Sequence, residues 1–171
     1  TDLTQWAKTY TGAWCYYANT TSNGTVYGKL YNEGAIQGIY NIASINNVAS
    51  RKKLAPTGYH IPKDAEWQTL KNCLGGGFIA GGKMKETGNA HWVTNTGATN
   101  ESGFTGLPGG ARWKNNQGDI FKGSIGFWWS ASIDYQSNVT NYQLSNNGTS
   151  FGKPNIHDYQ YYGFSVRCVK D

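Results

Sequence analysis

Glycine recurs so often along this chain that few of its segments can form a long helix. The 171 residues include 23 glycines, 7 tryptophans and 12 tyrosines. Glycine weakens helices and favours turns, whereas aromatic residues favour short strands. The composition therefore argues against an all-α fold. It indicates a single domain over residues 1–171 with many turns and short strands.

Two segments nevertheless have the pattern of a helix. In KDAEWQTLKNCLGGG the apolar residues Trp67, Leu70, Cys73 and Leu74 recur at helical spacing, and a glycine run follows the last of them. The segment GGKMKET predicts a second, shorter helix. From residue 88 to residue 126 the chain is rich in Gly, Asn and Thr, which predicts a long, ordered loop region.

The remaining regular pattern is that of strands. We predict extended segments near Trp14–Tyr17 and Tyr27–Tyr31, joined by a hairpin-like turn at Asn23–Gly24. The segments FWWSAS and GFSVRCV predict core strands. Neighbouring side chains on a strand point in opposite directions. We therefore expect one of Trp128 and Trp129 in the core and the other on a ligand-facing side.

The net charge of +5 does not by itself predict a nucleic-acid partner. The one tight basic cluster is Arg51–Lys53, and the other basic residues are scattered among acids, as on a solvated surface. No apolar run approaches the roughly 18 residues that span a bilayer, and the first residues lack the pattern of a signal peptide. We expect no transmembrane segment in this chain, with any export signal or lipid anchor already removed.

Three widely spaced cysteines form no metal or redox motif. One disulfide plus one thiol would fit an exported protein, and three thiols would fit a cytosolic one. The last strand pattern places Phe164, Val166 and Cys168 on one inward face. We therefore expect Cys168 to be either disulfide-bonded or fully buried.

The sequence carries no pattern of catalytic residues. His60, His91 and His157 are dispersed, and none has metal-ligand spacing to another His or to Cys. Asp64 and Glu66 point to different faces of their predicted helix, where both favour the helix dipole. His60 is interpreted as a hydrogen-bonded structural residue. We expect no enzyme and no cofactor, and loop oxygens would suit a structural calcium.

A polar stretch between the last two strand patterns is the candidate binding segment. About 20 of the roughly 33 residues from Ser130 to Tyr162 are Asn, Tyr, Ser, Asp, His or Thr. Asn and Ser are typical of solvated turns, but so many tyrosines are not. Tyrosine gives rigid contact area and Ser and Asn give adaptable hydrogen bonds, as in antibody paratopes. The predicted ligand-binding residues are Arg112, Trp113, Trp129, Asp134, Tyr135, Asn138, Asn141, Tyr142, Asn146, Asn147, Asn155, His157, Asp158, Tyr159, Tyr161 and Tyr162.

Five motifs carry a resemblance to a known family. GYHIPKDAEWQTL, AGGKMKETG, NTGATNESGFTGLPGG, IGFWWSAS and GFSVRCVKD occur in the order that marks the Fibrobacter succinogenes major paralogous domain. The chain resembles this family from about Trp14 to Asp171. The family occurs in exported and surface proteins of Bacteroidetes and related bacteria. The resemblance therefore implies an extracellular or cell-surface location.

The resemblance implies an α+β domain of the C-type-lectin-like fold, in its formylglycine-generating-enzyme-like branch. Such a domain has one or two short helices, small antiparallel sheets and long ordered loops. Some members resemble the variable proteins of diversity-generating retroelements, and the segment matching their hypervariable region is residues 128–167. The fold's tie between helix and last strand favours a Cys73–Cys168 disulfide, with Cys15–Cys168 as the alternative. Lys63 replaces a serine common in the family, which leaves Glu66 without its capping partner.

These observations predict a non-enzymatic ligand-binding and display domain. Residues 130–162 would bind a protein or glycan at a bacterial cell surface, and the domain would be a monomeric part of a larger protein such as an adhesin. The chain lacks the sugar-binding triplets of animal C-type lectins, so the fold alone does not predict sugar binding. The alternative is a structural module of a larger surface protein, with no ligand of its own.

Overall fold

The computed structural model describes residues 3–6, 8–113, 118–136, 138–154 and 161–171. Six short α-helices lie in these ranges, besides two single-turn 3-10 helices: α1 (Leu3–Trp6), α2 (Thr21–Tyr27), α3 (Glu33–Ile36), α4 (Ile42–Asn46), α5 (Asp64–Cys73) and α6 (Ala80–Met84). The strands in these ranges are β1 (Trp14–Cys15), β2 (Leu30–Asn32), β3 (Tyr59–His60), β4 (Ala111–Arg112), β5 (Asp119–Ile120), β6 (Ile125–Ile133), β7 (Val139–Ser145), β8 (Phe151–Gly152), β9 (Gly163–Phe164) and β10 (Val169–Lys170). None of the helices in the described ranges is both long and apolar enough to cross a lipid bilayer.

The strands form three antiparallel sheets. The first has the order β1-β2-β9-β4-β5, the second has the order β6-β7-β8, and the third pairs β10 with β3. Short helices with small antiparallel sheets confirm the α+β class that the sequence predicts.

Strand β9 joins the two larger sheets. It lies between β2 and β4, so residues near both ends of the chain pair in one sheet. Directly after β9, the N–H of Ser165 donates to the carbonyl of Phe127 at 3.1 Å, and the Ser165 carbonyl accepts from the N–H of Trp129 at 3.0 Å. The five-stranded sheet therefore contacts the three-stranded sheet along β6.

Both faces of the β6–β7 pair are buried, each against its own aromatic cluster. On one face Trp128 and Tyr142 pack with Trp67 of α5. On the other face Trp129 packs against Phe164, with ring centroids 4.7 Å apart. This double coverage places most of the β6 and β7 side chains in the core, whether or not they look apolar in the sequence.

The N-terminal region differs from the predicted hairpin. Strands β1 and β2 do pair, but Asn23 and Gly24 lie inside α2 rather than in a two-residue turn. Gly24 is required by space, since a Cβ atom there would lie 2.3 Å from the ring of Tyr16. The Asn23 amide donates to the carbonyl of Tyr17 at 2.9 Å. The dipeptide thus permits a close aromatic contact, and the turn prediction is wrong.

The last predicted strand is interrupted. Strand β9 ends at Phe164, which is buried, and regular pairing resumes only at β10, so Val166 and Cys168 remain partly exposed. Cys168 is a free thiol, as are the buried Cys15 and the exposed Cys73. The expectation that Cys168 is bridged or fully buried is therefore wrong, and neither predicted disulfide is formed. That expectation assumed a continuous strand through Cys168, but β9 ends at Phe164.

Helix α5 confirms the helix predicted for KDAEWQTLKNCLGGG. The polar groups of its first turn form more hydrogen bonds than the sequence suggested. The Glu66 carboxylate accepts the N–H of Lys63 at 2.9 Å and contacts Nε2 of His60 at 2.7 Å. The prediction that Glu66 lacks a partner is therefore wrong. Nδ1 of His60 contacts the carboxylate of Asp171 at 2.6 Å, so both ring nitrogens are bonded and the helix start is tied to the end of β10.

We expect the His60 contacts to stabilise the fold over a limited pH range. Hydrogen bonds to Glu66 and then Asp171 raise the pKa of His60, and the N–H of Lys63, with His60, lowers the pKa of Glu66. The stabilisation of the fold by His60 is fully present below the pKa of histidine in the unfolded chain, about 6.5. This stabilisation is lost as the pH rises through the raised pKa of His60 in the folded protein. The Glu66 contribution is present above the unfolded pKa of about 4.3 and is lost as the pH falls through the lowered folded pKa.

The difference in melting temperature between the wild-type protein and His60→Gln should be widest near pH ~5.5 and should shrink toward pH ~9. Thermal unfolding measured across this range checks the prediction. A difference that stays constant with pH would contradict it.

Lys85 is a buried cation directly after α6. Helix α6 confirms the second predicted helix, although it ends at Met84. The Lys85 ammonium donates to the carbonyls of Thr96, Ser145 and Gly148 at 2.8, 3.0 and 2.9 Å. Burial lowers the pKa of Lys85. One side chain therefore fixes the long loop region to the turn that follows β7.

Candidate functional site

The predicted binding segment is only partly at the surface. Tyr135, in the turn between β6 and β7, is 92% exposed, and Asn147 after β7 is also exposed. Asp134, Asn138 and Asn146 are half-buried. Four of the predicted ligand-binding residues lie outside the described residues: Asn155, His157, Asp158 and Tyr159.

Five predicted ligand-binding residues are buried, so their assignment to a binding surface is wrong. Trp129 donates from Nε1 to the carbonyl of Tyr31 at 2.7 Å, and Arg112 pairs with Asp119 at 3.1 Å. Trp113, which is half-buried, packs edge-on against Tyr162 with ring centroids 4.4 Å apart. The prediction assumed one solvated sheet face, but both are covered. The buried residues are Arg112, Trp129, Asn141, Tyr142 and Tyr162.

Strand β7 separates the exposed residues into two groups. Asn138 precedes this seven-residue strand and Asn146 follows it, a separation of about 25 Å at roughly 3.3 Å per residue. The Asn146 amide donates to Thr94 at 3.0 Å, and Asn147 accepts from Ser145 at 2.7 Å. These two asparagines support their own turn. Those of the predicted residues that the structure describes therefore do not form one contiguous face.

A pocket of about 320 Å³ lies beside the β6–β7 turn, and we call it the turn pocket. One wall comes from the predicted segment and the other from residues 9–45 of the chain. No sequence pattern links these two regions, and the pairing of β2 with β9 brings them together. Six residues supply most of its polar and aromatic groups: Tyr10, Glu33, Gln37, Gln136, Asn138 and Tyr161.

Asp134 closes the turn that carries Tyr135. Its Oδ1 accepts the N–H groups of Gln136 and Asn138, both at 2.9 Å. Its own N–H donates to the carbonyl of Asn138 at 2.8 Å. The exposed Tyr135 therefore lies on a turn whose backbone is held by hydrogen bonds.

Glu33 lies in the wall of the turn pocket and is only 7% exposed. Asn32 caps α3 by accepting the N–H of Ala35 at 3.1 Å, which sets Glu33 in the first turn. Its Oε1 accepts from Gln37 at 2.7 Å and from the N–H of Val139 at 3.2 Å. Burial raises the pKa of the Glu33 carboxyl, and these two hydrogen bonds oppose the rise. Glu33 therefore holds the start of β7 against α3.

Aromatic rings border the turn pocket. Tyr10 is 71% exposed, and Tyr161 is half-buried. The indole N–H of Trp6 donates to the carbonyl of Tyr161 at 3.1 Å, which fixes the C-terminal wall to α1. Exposed rings next to hydrogen-bonding groups are typical of surfaces that recognise ligands with both apolar and polar faces.

The turn pocket is lined by groups that can form hydrogen bonds. Its amide groups can both donate and accept hydrogen bonds, and its carboxyl and phenol groups add further polar contacts. Within the described part of the chain, no group of three or more His, Cys, Asp or Glu side chains is placed to hold a metal ion. The pocket can therefore bind hydroxyl or amide groups that lie beside an apolar face.

Together these features define an α+β domain with a polar pocket beside an exposed, hydrogen-bonded turn. The family model of the Fibrobacter succinogenes major domain matches residues 1–170. The chain therefore belongs to this family, as its motifs predict. Neither the curated proteins nor the solved structures contain a match to the chain.

Proposed function

We propose that this chain is a non-enzymatic ligand-binding domain of an exported or cell-surface bacterial protein. The observation that carries the proposal is the exposed ring of Tyr135, held on a hydrogen-bonded turn beside the turn pocket. Its ligand is a protein or a glycan. The ligand contacts the exposed part of residues 130–162 together with the N-terminal wall that contains Tyr10 and Glu33.

The proposal includes a C-type-lectin-like fold of the formylglycine-generating-enzyme-like branch. It is supported by the family membership and by the pairing of β2 with β9, which brings both ends of the chain into one sheet. The long loop region with little regular structure between α6 and β6 is a further support.

The proposal also includes diversification of residues 128–167 by a retroelement. Positions such as Tyr135 and Asn147 are exposed, where we expect exchange to cost little stability, whereas Asn141 and Tyr142 are buried, where we expect it to cost more. The surrounding DNA provides the test. A near-copy of the codons for 128–167, differing chiefly at adenines and next to a reverse transcriptase gene, would support diversification. The absence of such a copy would leave a fixed binding surface.

Replacing Tyr135 with serine is expected to weaken ligand binding about tenfold, because an exposed tyrosine on an ordered turn is a typical binding hot spot. The melting temperature should change by no more than about 2 °C, since the ring makes little contact with the fold. The wild-type protein is first screened against a glycan array and a displayed peptide library. The affinity of the strongest binder is then measured for both proteins.

Tyr40→Ser is the matched control, since this ring is 45% exposed and lies outside the turn pocket. A binder whose affinity falls equally in both variants, or in neither, would contradict the proposed site. If no binder is found, the structural module becomes the better assignment. That second candidate is favoured by the burial of Trp129, Asn141 and Tyr142, which ties much of the predicted segment into the core.

A further inference from the structure

A second pocket lies between α5 and the end of the chain, and we call it the α5 pocket. Its volume is about 560 Å³, and it shares no residue with the turn pocket. Sites for small molecules typically have volumes of about 300–1,000 Å³. Pro62, Trp67, Leu70 and Phe104 supply apolar walls. An apolar ligand of modest size therefore has room there.

Arg167 supplies a cation in the wall of the α5 pocket. Its guanidinium carbon lies 4.5 Å from the centroid of the Phe104 ring, and its Nη2 donates to the Phe104 carbonyl. Arg167 is exposed to solvent on its outer side, and partial desolvation by the pocket wall lowers its pKa. Among the residues that the structure describes, no carboxylate forms an ion pair with Arg167. A guanidinium beside apolar walls and without a counter-ion favours the binding of an anion that also has an apolar part.

Glu66 also lines the α5 pocket, but its carboxylate already has partners. One oxygen accepts the N–H of Lys63 at 2.9 Å, and the other contacts Nε2 of His60 at 2.7 Å. Both carboxylate oxygens of Glu66 are therefore already engaged on the helix side of the pocket. Arg167 remains as the charged group that a ligand can pair with.

We propose that the α5 pocket binds a small amphipathic carboxylate. The carboxylate pairs with the remaining N–H groups of Arg167, for which a two-point contact is the favoured geometry. An aromatic or branched apolar body packs against Leu70 and Phe104. Because the cation and the apolar walls act together, the pocket prefers an acid to a neutral molecule of the same shape. This site is independent of the function proposed for the turn pocket.

Two thiols in the wall of the α5 pocket report on its occupancy. Cys73 is exposed and Cys168 is partly exposed, and both are free. Cys15 is buried outside the pocket, and burial raises its pKa to about 11. A bound molecule should shield Cys73 and Cys168 from a thiol reagent, whereas Cys15 should stay unreactive throughout.

The experiment measures the rate at which N-ethylmaleimide modifies Cys73 and Cys168 in the reduced wild-type protein, resolved by peptide mass spectrometry. The ligands are 4-phenylbutyrate and its neutral analogue 4-phenylbutan-1-ol. We expect the acid to protect both thiols, and we expect the alcohol to need an about tenfold higher concentration for the same protection. Equal protection by acid and alcohol, or protection by neither, would overturn the proposal.

Arg167→Gln should remove the preference for the acid, while Arg51→Gln, a change outside the pocket, should keep it. An acid preference that survives in Arg167→Gln would contradict the role of the guanidinium. Thr69→Trp provides a second test that does not depend on Arg167. Thr69 is an exposed helix residue in the pocket wall, so a tryptophan there should fill the space and abolish protection by both ligands. Unchanged protection in this variant would place the binding elsewhere.

Discussion

Replacing Tyr142 with alanine is expected to lower the free energy of unfolding by about 3–5 kcal/mol, the range for removing a large buried ring. Tyr142 is 2% exposed, stacks on Phe151 with ring centroids 5.2 Å apart and lies 5.5 Å from Trp67. Burial raises the pKa of Tyr142 to about 12. Loss of the ring leaves a cavity between β7 and α5. Urea unfolding followed by tryptophan fluorescence measures the change.

Tyr135→Ala is the matched control, because this tyrosine is 92% exposed in the same segment of the chain. Its effect on the free energy of unfolding should stay within about 0.5 kcal/mol. Similar small effects for the two variants would show that Tyr142 lies at the surface, as the sequence alone suggested. They would also contradict the double coverage of the β6–β7 pair.

Lys85→Met is expected to lower the free energy of unfolding by about 3 kcal/mol or more. Methionine keeps most of the apolar volume but leaves the carbonyls of Thr96, Ser145 and Gly148 without their donor. Lys83→Met is the control, since Lys83 forms a surface ion pair with Glu101 at 3.2 Å, and such pairs contribute at most about 1 kcal/mol. Equal stability of the two variants would exclude a structural role for the Lys85 ammonium.

Local sequence patterns predicted those helices and strands whose buried side is defined by the spacing of their own apolar residues. The spacing of Trp67, Leu70 and Cys73 predicted α5 because a helix repeats every 3.6 residues, and α5 spans those positions. The alternation around Trp128 likewise predicted β6. Asn23–Gly24 failed as a turn signal because the ring of Tyr16, rather than a turn, requires the glycine.

Burial of the second sheet face was not predictable from the segment itself. It depends on Phe164, which comes from a strand far along the chain and covers Trp129. The alternation of β6 and β7 assigns side chains to faces, but it does not say whether water or another element covers a face. For this reason Trp129 and Tyr142 were assigned to a binding surface although they lie in the core.

Only one of the two walls of the turn pocket was predictable from the sequence. Asn138 and Tyr161 follow from the polar composition between the two strand patterns, and both line the pocket. Tyr10 and Glu33 belong to a region with no unusual composition, and only the pairing of β2 with β9 brings them near. Lys85 was missed for a related reason, because its three carbonyl partners are spread over two distant segments.

The hydrogen bond from Trp6 to Tyr161 joins residues that are 155 positions apart in the chain. Strand β2 needs β9 as its neighbour in the same way, so the five-stranded sheet closes only when nearly the whole chain is available. Contacts of such long range form slowly, because the loop entropy must be lost before the contacts contribute. During synthesis β1 and β2 can pair with each other, but β2 lacks its second neighbour until β9 has emerged, so completion of the sheet is a late event in the folding of this domain.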